Sequence, residues 1–288
     1  MTDPIGIAGA GRVAQAMGRL LLERGFAVVC VAGRNPARTV AAAAFIGSGI
    51  RAVSYGEIPG RARRILIAVP DAAIVEVSNT LASTGMRGTI ALHTCGTKGP
   101  DALQSLKDQG VSCGTLHPLQ TIASPEQGVR DLPGCAFAVD GDSRAVAWAE
   151  EIARRLGGEV LRIAPEMRPV YHAAAVMASN YLVGLIAAAQ HLMKMAGVAE
   201  EKCLPALQPL LRATMENVLL QGPVGALTGP IERGDCETIA AHLQALDSAP
   251  AEIRGLYRAA GLEVLALAVD RGLAAGPAAS ISQQLRGN

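Results

Sequence analysis

Few side chains in this sequence combine reactive chemistry with a spacing that brings them together. His172, Ser179 and Asn180 fall at i, i+7 and i+8 around the uncharged run Ala173–Ala189. At about 100° per residue, Ser179 lies about 20° and Asn180 about 80° from His172, so all three share one helix face. Polar groups in so apolar a helix cost free energy unless they are satisfied. One reading makes His172 a proton donor and Asn180 an orienting group. The other makes them an interface histidine and an asparagine bonded to backbone. His93 and His117 each follow a buried-strand pattern, where substrate loops gather. An imidazole there can titrate near neutral pH and donate a proton, or it can be a hydrogen-bonded loop residue. Together these residues suit hydride transfer to a carbonyl or imine. That reaction needs a fixed acceptor carbon and a donor to the developing anion. Cys95 could act as a nucleophile, but no base stands beside it in sequence.

These groups need a hydride source, and the N-terminus reads as its cradle. Ile5–Ala8 is a short apolar strand, Gly9-Ala10-Gly11 a glycine turn, and Arg12-Val13-Ala14 the start of a helix. Gly9 allows the tight turn, Gly11 lets backbone amides approach a pyrophosphate, and Ala14 lets the helix pack close. The helix runs from Val13 to Arg24, and Phe26–Ala32 is the second strand. That completes the strand–helix–strand frame of a dinucleotide site. An NAD site places Asp or Glu at the end of this second strand. Here Gly33-Arg34-Asn35-Pro36-Ala37-Arg38 follows, and no acidic residue occurs between Glu23 and Glu57. A guanidinium matches a 2′-phosphate in charge and bidentate geometry, so the expected cofactor is NADP(H). The plainer reading is that Asn35 caps a helix whose first residue is Pro36. The expected cofactor-binding residues are Gly9, Gly11, Arg12, Val13, Arg34, Asn35, Val69, Pro70 and Thr94, all at strand ends or on the first turn.

The buried strand Arg64–Val69 ends in Pro70-Asp71, where Asp71 is expected to cap the helix Ala72–Ser83. Further strands follow at Thr89–Thr94, Val111–Thr115, Cys135–Val139 and Gly158–Ile163, with a helix at Ser143–Leu156. From Pro165 on the pattern is helical throughout: Glu166–Ala196, Glu200–Leu220 with Pro205 and Pro209 early in it, Asp235–Asp247 capped by Asp235, and Ala251–Arg271. The tail from Gly276 is expected to fray. Alternation followed by helices alone predicts two domains, 1–164 and 165–288. In the loop Thr228–Asp235, Arg233 could grip a substrate carboxylate, with His242 backing the region.

Composition sets the outer bounds. The 288 residues are half hydrophobic with a net charge of +1, and 3% are aromatic. Neither a nucleic-acid surface nor a base-stacking platform is indicated. Six cysteines are scattered, without the spacing of a disulfide framework or a metal site, so no metal is expected and the thiols suit a reducing cytosol. The N-terminus enters its first strand at once, without the regions of a signal peptide, so a cytoplasmic protein is expected. Ala173–Ala189 approaches the length of a membrane span and is read instead as a buried helix.

The glycine fingerprint, Gly33-Arg34-Asn35, Val69-Pro70-Asp71, His93–Gly96, Leu116–Thr121, Ala178-Ser179-Asn180 and Leu227–Asp235 occur together in order. In this the chain resembles Rossmann-like proteins with a C-terminal domain of unknown function, DUF2520. The resemblance spans nearly the whole chain. It implies an α/β N-terminal Rossmann domain with a mostly parallel sheet, then an all-α domain like that of 6-phosphogluconate dehydrogenase, often used for dimerisation. It also implies NADP-dependent oxidoreductase activity on a small molecule such as a keto or hydroxy acid, as in ketopantoate reductases. A cyclic-imine reductase of the pyrroline-5-carboxylate type is the alternative, and a non-catalytic dinucleotide-binding protein the third reading. Ketopantoate reductases carry K-x-x-x-N-x-x-x-N on the first helix of the second domain. Here His172 and Val176 replace the first two of those residues, and Asn180 keeps the third.

Overall fold

The computed structural model describes residues 3–85 and 88–287. It divides into two compact units, the first ending at Ser179 and the second starting at Asn180.

The first unit alternates strands and helices: β1 (Ile5–Ala8), α1 (Arg12–Glu23), β2 (Val28–Ala32), α2 (Pro36–Ile46), β3 (Arg51–Val53), β4 (Arg64–Ile67), α3 (Ile74–Ala82), β5 (Ile90–His93), α4 (Gln104–Lys107), β6 (Ser112–Pro118), α5 (Pro125–Asp131), β7 (Phe137–Gly141), α6 (Ser143–Arg155) and β8 (Val160–Leu161). The sheet order is β3-β2-β1-β4-β5-β6-β7-β8. The strands from β3 to β6 are parallel, and β7 runs antiparallel to β6. The chain reverses its winding between β1 and β4, which opens a crevice beyond their carboxyl ends. Alternation across the sheet explains why these apolar runs carry no polar face. Ile5, Ile7 and Leu66 enter one core, and Ala8, Ile65 and Ile67 the core on the other side.

Three local expectations change. The strand β3 forms at Arg51-Ala52-Val53, a stretch for which the sequence predicts no strand. Asp71 does not cap α3: it lies in a 3₁₀ turn, Asp71–Ala73, and the N-cap of α3 is Ala73, without a side-chain bond. The residues after Pro165 belong with the first unit as far as Ser179, because Arg168 and Tyr171 reach back to Asp140 and His117. The switch from strand–helix alternation to helices alone puts the change of domain at Ala164–Pro165 instead.

The long helix is three pieces: α7 (Arg168–Val176), a π-helical turn (Met177–Tyr181) and α8 (Leu182–Met195). A π turn bonds i to i+5 and widens the helix. The constant 100° per residue that set His172, Ser179 and Asn180 on one face therefore does not hold through Met177–Tyr181. The remaining helices are α9 (Glu200–Ala226), α10 (Cys236–Ala245), α11 (Ala251–Asp270) and α12 (Ala275–Arg286). Pro205 and Pro209 lie within α9, and the helix breaks at Gly222, whose φ is 73°. Asp235 caps α10, accepting from the Thr238 N–H at 3.0 Å. The tail does not fray. Ile281 and Leu285, i and i+4 on α12, are buried with Ile231, Ile239 and Leu265 in the core of the second unit.

A further correction concerns α8, which the sequence predicts to be buried. None of its side chains is. By length and composition Pro165–Met195 could cross a membrane, with mean hydropathy 1.4, and none of that window is buried. On α9, Leu210, Leu219 and Leu220 are exposed too.

Candidate active site

The crevice at the ends of β1, β2, β4, β5 and β6 is a cleft of about 590 Å³. All nine expected cofactor residues line it: Gly9, Gly11, Arg12, Val13, Arg34, Asn35, Val69, Pro70 and Thr94. His117 lines it as well, together with Arg38, Tyr55 and Gln120. Among the described residues that line it, three are arginines and none is acidic.

The glycine turn shows why the sequence must be what it is. Gly9 has φ 136°, and a Cβ there would overlap the carbonyl oxygen of Ala68. Gly11 is the N-cap of α1 with ordinary φ of −84°, and nothing lies within 4 Å of where its Cβ would be. No side chain caps α1, and its first turn holds no acid. Its free amides and positive dipole end therefore face open space, a ready anion site. Arg34 and Arg38 are exposed, and neither forms a salt bridge among the described residues. Asn35 accepts from the Arg38 N–H at 3.0 Å and caps α2, with Pro36 in the first turn. The plainer reading of Asn35 thus describes its side chain, while the residue still lines the cleft. A glycine turn with an uncapped helix end and an acid-free wall of arginines fits a dinucleotide phosphate.

The histidines separate. His93 is fully buried on β5. Its Nδ1 accepts from the Cys95 N–H at 3.2 Å, so its proton is on Nε2, which donates to the Gly99 carbonyl at 2.9 Å. Both ring nitrogens are occupied, so His93 locks the loop after β5 and has no atom free for a substrate. That corrects its expected catalytic role. His117 is different: its Nδ1 is 3.0 Å from the Tyr171 hydroxyl, and its ring centroid is 6.2 Å from that of His172. Gly96 separates the two imidazoles, and a Cβ on it would stand 2.8 Å from His117 and 2.9 Å from His172. Ser179 is half-buried in the π turn, and Asn180 is exposed there at the start of the second unit. In a pocket that His117 also lines, Arg168 is buried and ion-paired with Asp140. Cys95 makes no case for a nucleophile. Burial pushes its thiol pKa up, and the Sγ accepts from the Lys98 N–H at 3.3 Å.

Sequence reasoning missed Tyr171, Arg168 and Tyr55. Tyr171 had a signal only in being next to His172, and Tyr55 follows an edge strand too short to read. In the second unit, Arg233 is exposed without a side-chain bond among the described residues. His242 Nδ1 lies 2.9 Å from the Tyr257 hydroxyl, beside an apolar cavity of about 410 Å³. Among the described residues no three metal-ligating side chains cluster.

Burial pushes the pKa of His93 below its usual value and that of His117 down to about 4. Unfolded, each titrates near 6.5. The unfolded chain then binds more protons below that value, so the stabilisation is complete above pH 6.5 and is lost as pH falls through it. For His117 the loss levels off near pH 4 and amounts to at most about 3 kcal/mol. Urea unfolding followed from pH 7.5 to 4.5 should show stability falling over this window. A flat profile would contradict neutral burial of the two rings.

Family models match the two parts of the chain in turn. The Rossmann-like domain covers residues 3–118, and DUF2520, a domain of unknown function, covers 135–264. A protein of Bacteroides fragilis, assigned as an NADP oxidoreductase, shares the fold at TM-score 0.72 and 25% identity, over 93% of this chain and 98% of that one. A protein from Thermotoga maritima gives TM-score 0.75 at 20% identity, over 93% and 99%. A reductive aminase from Aspergillus terreus, in complex with NADPH and ethyl-5-oxohexanoate, gives 0.61 at 17%, over 99% and 93%. No curated protein matches the chain in sequence. The π turn, with Ser179 and Asn180, and the loop Leu227–Asp235 both fall within the DUF2520 match.

Proposed function

We propose that the chain is an NADP(H)-dependent oxidoreductase acting on a small keto or hydroxy acid. The observation that carries this reading is the cleft wall, with an open glycine turn, an uncapped helix end and three arginines without a carboxylate. Gly9, Gly11 and the first amides of α1 hold the pyrophosphate, and Arg34 with Arg38 holds the 2′-phosphate. Bound there, the nicotinamide supplies the hydride. Thr94 and His117 close the same cleft at the ends of β5 and β6. The likeness to an NADP oxidoreductase at 25% identity is in keeping with this.

One observation favours the cyclic-imine alternative. With its pKa pushed down to about 4, His117 is a neutral imidazole at neutral pH: it keeps one N–H to share in a hydrogen bond but has no imidazolium proton to transfer outright. A protonated imine brings its own charge and needs no such acid, whereas a carbonyl needs a donor to its oxygen.

The exposed apolar residues of α8 and α9 support a homodimer through the helical unit. Val183, Leu210, Leu219 and Leu220 are exposed apolar side chains of the kind that a second copy covers. Six free cysteines suit the cytoplasm. Calorimetry with NADPH and NADH, run on a sample whose mass is read by light scattering, tests the whole reading. Tighter binding of NADPH and a mass twice 29.6 kDa are expected. Preference for NADH would overturn the cofactor, a monomer the pairing, and recovery only from membranes the cytoplasmic placement. NADPH consumption with 2-keto acids and cyclic imines then separates the two substrate classes.

A further inference from the structure

His117 stands in the wall of the cofactor cleft and also borders a small pocket that Tyr171 lines. The Tyr171 contact is the imidazole's one hydrogen bond among the described residues. The two rings meet edge to face, 5.7 Å between centroids and 88° between planes. Among the described residues Nε2 has no hydrogen-bond partner, and it is not one of the fully buried unpartnered atoms, so it keeps some exposure. Gly96 makes this possible, because a Cβ on it would crowd Cε1 and Nε2 at 2.8 Å.

The direction of the Tyr171 bond fixes where the imidazole proton sits. The Tyr171 hydroxyl has no other partner among the described residues, and burial raises its pKa, so it keeps its proton. A neutral imidazole nitrogen is the stronger acceptor of the two groups. The charged surroundings keep the ring neutral. His172 from α7 and His93 from β5 disfavour a second proton, burial disfavours it most, and Asp71 alone opposes them. On β7, Asp140 is already paired with Arg168.

We propose that Tyr171 is a positioning residue: its hydroxyl donates to His117 Nδ1, sets the proton on Nε2, and makes His117 a neutral hydrogen-bond donor to a substrate carbonyl oxygen. This rests on the reductase reading given above. As the carbonyl carbon gains the hydride, its π pair moves onto oxygen. The Nε2–H bond holds that oxygen, a proton from water completes the hydroxyl, and the nicotinamide is the group oxidised. A neutral donor of this kind polarises the carbonyl without having to be charged first. It therefore works at a pH where an ordinary histidine acid is already deprotonated.

Long-range ¹H–¹⁵N spectra of the histidine-labelled full chain test this, without ligand, with NADPH, and with NADPH plus oxamate as an unreduced carbonyl acid. The expected result is a proton on Nε2 of His117 in all three states, with no titration between pH 5.5 and 8, about a unit or more above its folded value. Oxamate should move the Nε2 signal. In Tyr171→Phe, which keeps the ring, the two tautomers should mix, the midpoint should rise towards the ordinary value, and oxamate affinity should fall about tenfold, the worth of one neutral hydrogen bond. A wild-type proton on Nδ1, titration near neutral pH, an unmoved Nε2 signal with oxamate, or unchanged spectra in Tyr171→Phe would each overturn the proposal. Calorimetry showing no NADPH binding would instead remove the reductase reading, while the ligand-free spectra still judge the Tyr171–His117 assignment.

Discussion

Gly9→Ala should unfold much of what Gly11→Ala leaves intact, although both abolish tight NADPH binding. At Gly9 two penalties combine. The backbone sits at φ 136°, where an L residue is strained, and the new Cβ meets the Ala68 carbonyl oxygen, which no rotamer change can move. Strain of about 1–3 kcal/mol plus overpacking of about 1–3 kcal/mol is a large share of an ordinary domain's stability. The contact joins the ends of β1 and β4, the two strands that flank the crevice, so relief requires them to part. At Gly11 the backbone is extended and the space is empty. An alanine there should change stability by less than about 0.5 kcal/mol. It should nevertheless weaken NADPH at least about tenfold, because a methyl group occupies the ground a pyrophosphate needs. Urea unfolding and calorimetry on the two variants separate the effects. Normal NADPH binding by Gly11→Ala would mean that the phosphates do not lie over this turn.

Arg34→Ala should lower NADPH affinity by about ten- to a hundredfold and leave NADH affinity nearly unchanged, since only one of the two carries the 2′-phosphate. The range is that of a charge-assisted bidentate contact. Arg34 has no competing ion pair among the described residues, so its guanidinium is not already committed. Arg34→Asp should go further and bring NADH above NADPH, by offering a carboxylate to the ribose hydroxyl. Equal losses for both cofactors, read by calorimetry, would assign Arg34 to general electrostatic attraction. The separate pairing of Arg38 with the phosphate would then have to account for any discrimination.

The proposed cofactor half of the candidate site is legible in the sequence because its requirements are backbone requirements. Only glycine tolerates the geometry at Gly9, and the absence of an acid after β2 is visible by inspection. The proposed catalytic half is not, because His93 and His117 look alike in sequence. Each ends a buried strand, and what separates them is partners: a backbone amide and a carbonyl for His93, a tyrosine 54 residues away for His117. The strand β3 escaped because three residues at a sheet edge carry no period. The helix α12 escaped because Gly276 and Pro277 read as a breakdown of structure, although Pro277 sits in its first turn, where proline is tolerated. Hydropathy marked the helix after Pro165 as apolar but could not say what covers it, since the answer lies outside the strand-and-helix pattern of the chain.

An acid-free cleft with three guanidinium groups has a practical consequence for anyone who handles the protein. It is an ion-exchange site before it is a nucleotide site. Phosphate and sulfate in a buffer should occupy it in competition with NADPH, and added salt should weaken the attraction further as the Debye length contracts from about 10 Å at 0.1 M to about 3 Å at 1 M. Affinities measured in phosphate and in a zwitterionic buffer of the same ionic strength should therefore differ, and the gap between them gauges how much of the binding the arginines provide.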